Sequence, residues 1–365
     1  MSHDISRRHV LGLAGAVAGI GALGGLPTAA ASSVAPQRAA VHQLAVYRWG
    51  SPKAPTTTDA YASWIGDPTV WGLDFEPSDT WDNISNPGWM LYPWAQWVKA
   101  ASYRNLVLSV PMLPGAWDLS GPTKGTGAGQ AVSLAAGAAG NYNGYFRTLA
   151  QSLVSQGMPN AWLRIGWEFN GGWYTWRCST DRTSWSAYWR QIVTTMRSVA
   201  PGLKFIWNPT LGYQQVPADL VYPGDSYVDY IGVDVYDQSW ASNTYPWPAG
   251  STAEQIATAR QRAWDVDIYG GDHGLQYWAT FASQHGKWGV CNRTDGHGGL
   301  DNPGFIQNMY NYMAADNVPF AAYFDVNASD GAHQLSPGND PNGNPVTTEF
   351  PNSKNAFLQL FSGGS

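Results

Sequence analysis

The chain has 365 residues, a formal net charge of −6 and a pI near 5.6, with only 13% charged residues. This balance excludes a nucleic-acid binder, which needs a basic surface. Two cysteines and seven histidines, none at metal-finger spacing, supply neither a disulfide framework nor a zinc site, and no metal or cofactor is expected.

The first residues carry an export pattern. Ser6-Arg7-Arg8-His9-Val10-Leu11 is a twin-arginine motif, followed by a Gly/Ala-rich apolar run from Leu11 to Leu26 and by the small residues Ala29-Ala30-Ala31. The run is too short and too weakly apolar for a stable membrane anchor. Residues 1–31 are therefore read as a cleaved signal peptide, 32–42 as a leader and 43–365 as a single domain. A secreted monomer is the expectation.

From His42 onward, short β-like runs alternate with amphipathic helices. His42–Trp49, Val70–Phe75 and Asn105–Pro111 read as the first three strands. Phe146, Leu149, Leu153 and Val154 recur at helical spacing in Tyr145–Ser155, which stops at Gly157. Ala161–Glu168 is a fourth strand, and Trp185, Trp189, Ile192, Met196 and Val199 mark the helix after it. Lys204–Asn208 and Val228–Tyr236 give strands five and six. Ser251 and Glu254 have capping-box spacing ahead of a helix reaching about Asp267, and a second helix spans Gln276–His285. A helix over Phe305–Met313, a strand over Phe320–Asp325 and a helix over Ala356–Phe361 complete the series. With no linker and no internal repeat, the pattern predicts an α/β fold, a single (β/α)₈ barrel.

Polar and aromatic residues collect where these strands end: Asp74 and Glu76, Glu168 with Asn170, Asn208, Asp234 with Tyr236, and Asp325. In a barrel those ends share one mouth, where active sites sit. Twenty tryptophans and nineteen tyrosines are the unusual part of the composition. Flat rings suit the C–H faces of sugars, and they also fill cores; both uses are expected, with about a third of the tryptophans near a cleft.

The most specific segment is Trp162–Trp176, WLRIGWEFNGGWYTW. Its strand delivers Arg164, Trp167 and Glu168 toward the mouth with Asn170 just beyond, and a Gly-Gly turn lets Trp173 and Trp176 fold over the site. A glutamate against an apolar wall is suited to act as a general acid. The chain has only four glutamates, Glu76, Glu168, Glu254 and Glu349, so there are few alternatives. A structural Glu168 paired with Arg164 is the competing interpretation.

Trp167-Glu168-Phe169-Asn170-Gly171-Gly172-Trp173 resembles the acid/base motif of glycoside hydrolase family 26, usually His-Glu-Met-Asn-Gly followed by Trp. Phe205–Pro209 is similar to that family's fifth strand, Val228–Asp237 to its sixth, and Asp295–Pro303 to the stretch after its seventh. The resemblance implies a retaining β-glycosidase barrel, mostly β-mannanases, with Glu168 as acid/base and a polysaccharide as partner. Trp173, Asn170 and Tyr236 would contact sugar, with Arg164, Trp167 and Trp176 around them.

Two departures stand out. Trp167 occupies the place where the family's mannanases have His, so β-glucan or xylan-type chains join mannan as candidate substrates. More consequentially, the family's nucleophile is a Glu ending strand seven, and here Gly286-Lys287 runs straight into Trp288-Gly289-Val290. The next glutamate downstream is Glu349. A shortened or irregular seventh strand is expected, and three outcomes stay open: an inactive relative, a substitute carboxylate at Asp234 or Asp295, or an inverting mechanism. The rival from another class is a non-catalytic carbohydrate-binding barrel. Asp74 and Glu76 are equally suited to bind hydroxyls or to be structural, His297 reads as a solvated loop residue, and a Cys178–Cys291 disulfide is a further possibility at the mouth.

Overall fold

The structure is a computed structural model that describes residues 43–50, 52–115, 131–287, 298–328, 331–340 and 342–363, together with the backbone of 290–292. The export segment 1–31, the leader, Asp295, His297 and the side chain of Cys291 lie outside the described residues. No helix among the described residues is long and apolar enough to cross a membrane.

Nine short parallel strands form one sheet. They are β1 (Gln43–Tyr47), β2 (Trp71–Phe75), β3 (Leu106–Val110), β4 (Trp162–Ile165), β5 (Lys204–Trp207), β6 (Tyr230–Ile231), β7 (Asp234–Val235), β8 (Val290–Asn292) and β9 (Phe320–Phe324). Their order is β6-β5-β4-β3-β2-β1-β9-β8-β7. The two ends of that order, β6 and β7, are successive pieces of one run interrupted at Gly232-Val233. A parallel bridge between Thr210 and Asp234 ties the exit of β5 to β7, so the sheet curls back on itself. Leu211 N donates to Asp234 O (3.0 Å) and Asp234 N to Pro209 O (2.9 Å) at that seam. The architecture is an α/β barrel.

Helices cover the outside. Those over Asn143–Ser155, Arg182–Arg197, Leu275–His285 and Pro303–Ala315 fall where apolar periodicity puts them. Two more, Ala54–Ile65 and Gly88–Lys99, lie in stretches without a clear helical signal. The capping box before Ala253–Ala263 is Thr252 with Gln255, one residue beyond the Ser251/Glu254 pair; the same spacing recurs there and the actual turn selects it. The helix then loosens into a π turn over Trp264–Ile268.

Inward side chains stack in layers. At the bottom, Trp162 stacks on Tyr230 (4.3 Å between centroids) and meets Trp71 and Phe320 edge-on or tilted. Above them Arg164 lies across the barrel, donating to Ser109 Oγ (3.1 Å) and to both oxygens of Asp234 (2.8 and 2.6 Å). At the top, Tyr47, Phe75 and Phe324 form a ring cluster with centroids 4.9–6.2 Å apart. Most of the aromatic excess is core: Trp81, Trp94, Trp176, Trp185, Trp189, Trp207 and Trp278 are fully buried. Gly72 shows how tightly the outer layer fits, since a Cβ there would lie 2.3 Å from the Trp94 ring.

Candidate functional site

Glu168 sits at the C-terminal mouth, on a turn the strand does not continue through. β4 ends at Ile165, and then Gly166 (φ 55°) and Glu168 (φ 52°) both adopt left-handed backbone. Gly166 cannot carry a side chain, because a Cβ would meet Met112 Sδ at 2.5 Å. For Glu168 the conformation is strained, on the order of 1–3 kcal/mol, and strain of this kind gathers at functional sites. It is held by Glu168 N donating to Asn208 O (2.8 Å) and Gly171 N donating to Glu168 O (3.1 Å).

Glu168 is only 4% exposed. The indole N–H of Trp173 donates to Glu168 Oε2 at 2.9 Å, and this half-buried ring leans over the acid. The Gly-Gly turn permits the approach: a Cβ on Gly171 would fall 2.4 Å from the Trp173 ring, and one on Gly172 would fall 2.1 Å from Gln215 Nε2.

The other expected residues divide into two groups. Trp167, next to Glu168 in the chain, is 5% exposed and packed in the core, its N–H donating to Tyr174 Oη (3.0 Å) and its ring edge-on to Phe75 at 5.2 Å, so it was expected at the ligand and is mostly covered by protein. Tyr236, half-buried, faces the mouth near the buried His333 ring at 6.1 Å. Asn170 and Trp176, both expected to touch a ligand, are buried among protein atoms instead. The Asn170 amide donates to Thr210 O and accepts from Thr210 N, both at 2.9 Å, strapping the exits of β4 and β5 together. Trp176 is stacked on Tyr174 (4.4 Å, 10°) and packed on Trp167, its N–H donating to Trp167 O. Arg164 lies below the mouth, paired with Asp234.

The carboxylates near the strand ends are mostly committed. Asp234 is clamped by Arg164, Asp237 accepts from Tyr245 Oη (2.7 Å) and Asn302 Nδ2 (2.8 Å), and Asp325 accepts from Arg48 and Leu335 N. Asp74 points away from the mouth, accepting from Trp94 Nε1 (2.7 Å) and Phe75 N (2.8 Å); burial pushes it up to about 7 despite these bonds. Glu76 is 2% exposed and neither carboxyl oxygen has a hydrogen-bond partner. Burial, and then the nearby Asp74 charge, hold its pKa well above the usual carboxylate range. Cys178 is a buried free thiol, pushed up to about 12 by burial and therefore inert.

One part of the site went unrecognised in the sequence: Tyr47, Phe75 and Phe324, an aromatic floor next to Trp167. Its signal was available, since β1, β2 and β9 all end on an inward ring. A cavity of about 520 Å³ adjoins Tyr236 and Thr210 on the β5–β7 side.

Residues 136–249, which carry β4 to β7 and Glu168, match the family model for glycosyl hydrolase family 26. The chain is related to that family. Endoglucanase H of Acetivibrio thermocellus is 34% identical over 116 residues, which make up 28% of this chain and only 13% of that protein. A Cellulomonas fimi endo-beta-1,4-mannanase double mutant superposes with a TM-score of 0.55 at 16% identity, covering 89% of this chain and 70% of the other. The catalytic domain of the Bacillus sp. JAMB-750 GH26 endo-beta-1,4-mannanase gives 0.54 at 14% identity, covering 90% and 88%. Against these solved structures the likeness of this family-26 relative is one of fold.

Proposed function

We propose that this family-26 relative is an exported carbohydrate-active barrel that acts on a β-linked polysaccharide, with Glu168 as its general acid/base. The observation that carries this reading is Glu168 itself, strained at the end of β4 and bonded to the Trp173 indole. A carboxyl so placed can protonate a glycosidic oxygen as the bond breaks. The half-buried rings of Tyr47 and Phe75 suit the C–H faces of a sugar ring. Mannan, the substrate named for the structural relatives, and β-glucan, suggested by the name Endoglucanase H, are the two backbones to assay first.

The same reading holds that turnover is severely reduced. A retaining hydrolase needs a second carboxylate ~5–5.5 Å from the first to form a covalent glycosyl intermediate. The jump from Lys287 to Trp288 is read as the loss of the segment that would supply it. Asp234 is a poor substitute, because attack would require breaking its buried pair with Arg164. The twin-arginine motif supports secretion, and a monomer is proposed.

Purified protein at high concentration, incubated with mannan and β-glucan oligosaccharides, tests this. Binding with barely detectable release of reducing ends, abolished by Glu168→Gln, is the expected result. Binding with turnover insensitive to Glu168→Gln would remove the acid/base assignment. Binding with no release at all would favour a purely carbohydrate-binding barrel.

A further inference from the structure

We propose that Gln215, on the turn after β5, is a positioning residue for the acid: it holds the Gly171-Gly172 turn so that the Trp173 indole stays bonded to Glu168. The proposal rests on the functional reading above. The loop that carries the acid is closed at its base, since Cys178 N donates to Phe169 O (2.8 Å). Its tip is a Gly-Gly turn, the most freely rotating backbone available, and a ring borne on such a turn does not stay aimed by itself.

Gln215 touches this loop at three points. Its backbone N–H donates to Asn170 O (3.1 Å), just before the turn. Its Nε2 lies against the turn itself, 2.1 Å from where a Cβ on Gly172 would be. Its Oε1 accepts from Ser179 Oγ (3.0 Å), just past the base of the loop. The Trp173 ring presses on the neighbouring residue, 2.4 Å from where a Cβ on Gly171 would be. One glycine of the turn is thus packed against the Gln215 amide and the other against the indole. The Ser179 hydroxyl also sets which end of the amide faces the turn: with Oε1 taken, Nε2 is the atom left against Gly172.

Aim is what this hold provides. The Trp173 N–H donates to Glu168 Oε2 at 2.9 Å, and a hydrogen bond weakens steeply as it bends. The indole nitrogen sits several bonds out from the backbone, so a small rotation at Gly171-Gly172 carries it off line. Gln215 acts on the acid through Trp173 and needs no contact with sugar. Because Gln215 is exposed, its side chain adds little to the barrel core, and substitutions at such positions usually change stability only slightly.

Nitrogen–proton NMR of the indole N–H groups tests this without any ligand. The Trp173 signal is the one lost in Trp173→Phe. In the otherwise wild-type chain Glu168→Gln should move it, because the acceptor loses its charge. Gln215→Ala should displace the signal by itself and leave it far less responsive to Glu168→Gln, with the thermal midpoint nearly unchanged. Gln215→Glu keeps the length and the acceptor for Ser179 and should restore the wild-type signal. In calorimetry with β-linked manno- and gluco-oligosaccharides, Gln215→Ala should weaken binding about threefold to tenfold, the scale of one hydrogen bond. Gln215→Ala with Trp173→Phe should bind no worse than Trp173→Phe alone, the non-additivity of residues acting through one contact. An unmoved Trp173 signal in Gln215→Ala, no restoration by Gln215→Glu, or additive losses in the double variant each overturns the positioning role and leaves the Glu168 reading standing. A wild type that binds no β-linked oligosaccharide overturns the functional reading, and the Trp173 signal then decides by itself whether Gln215 holds the indole on Glu168.

Discussion

The indole nitrogen of Trp173 lies 2.9 Å from Glu168 Oε2, five residues along the same turn. On the proposed function, one side chain would supply both a ring for sugar and the hydrogen bond that holds the Glu168 carboxylate. Trp173→Phe keeps the ring and deletes the donor, and a hydrogen bond to a charged group contributes about 1.5–3 kcal/mol. Oligosaccharide affinity measured by calorimetry should fall less in Trp173→Phe than in Trp173→Ala. Equal losses would mean that the ring contributes nothing beyond its hydrogen bond, and an unchanged affinity in Trp173→Phe would mean that the hydrogen bond does not matter.

Rebuilding strand seven tests the proposed loss of the nucleophile directly. Inserting a Pro-apolar-Glu segment between Lys287 and Trp288 should produce release of reducing ends from mannan or β-glucan. Glu168→Gln in that background should abolish it, because the two carboxyls act as a unit. An insertion variant that stays folded by circular dichroism and remains inactive would place the defect elsewhere.

Arg164 and Asp234 form an ion pair with side chains 2% and 4% exposed, deep in the barrel. Arg164→Met strands the Asp234 charge and should cost about 3–5 kcal/mol in urea unfolding. Arg164→Met combined with Asp234→Leu should recover much of that loss, since a well-packed apolar pair avoids the desolvation penalty. Purely additive destabilisation would show the pair to be unimportant as a pair.

Asp74 and Glu76 give stability a pH dependence of defined sign. Burial raises both above their ordinary values, Asp74 to about 7, so the folded chain holds protons that the unfolded chain gives up. The Asp74 contribution is complete below the unfolded value near ~4 and is lost as pH climbs through about 7, and that of Glu76 has the same sign. For Asp74 alone the penalty at alkaline pH is on the order of a few kcal/mol. Glu76→Gln should raise Tm at pH 8 and change it little at pH 5. An equal shift at both values would show that ionisation is not involved.

Strands β1 to β5 could be read from the sequence because each is an apolar run buried on both faces, as parallel strands are. The sixth was legible as Val228–Tyr236, but its division into β6 and β7 was not: Gly232 sits where a Cβ would meet Asn208 Oδ1 at 2.3 Å, a tertiary fact with no local signature. The helix Ala54–Ile65 escaped notice because Thr56-Thr57-Thr58 has no helical preference, and Gly88–Lys99 because Pro93 interrupts it. Within the site, Glu168 stood out by scarcity and by its neighbours. Asn170 and Trp176 sit in the same motif and do scaffolding work, since a pattern of residue types does not say which side of a turn each one faces. The ring floor was hidden for the opposite reason: Tyr47, Phe75 and Phe324 are far apart in sequence and meet only when the sheet curls.

The Asn170–Thr210 strap, taken with the bond from Glu168 N to Asn208 O, has a kinetic consequence. The turn that carries the acid is stapled to the neighbouring strand exit before any ligand arrives, so no loop has to fold around an incoming sugar. Association should then follow a single exponential whose rate rises linearly with oligosaccharide concentration and does not level off. Cutting the strap, as in Asn170→Ala, should introduce the plateau that marks a slow rearrangement.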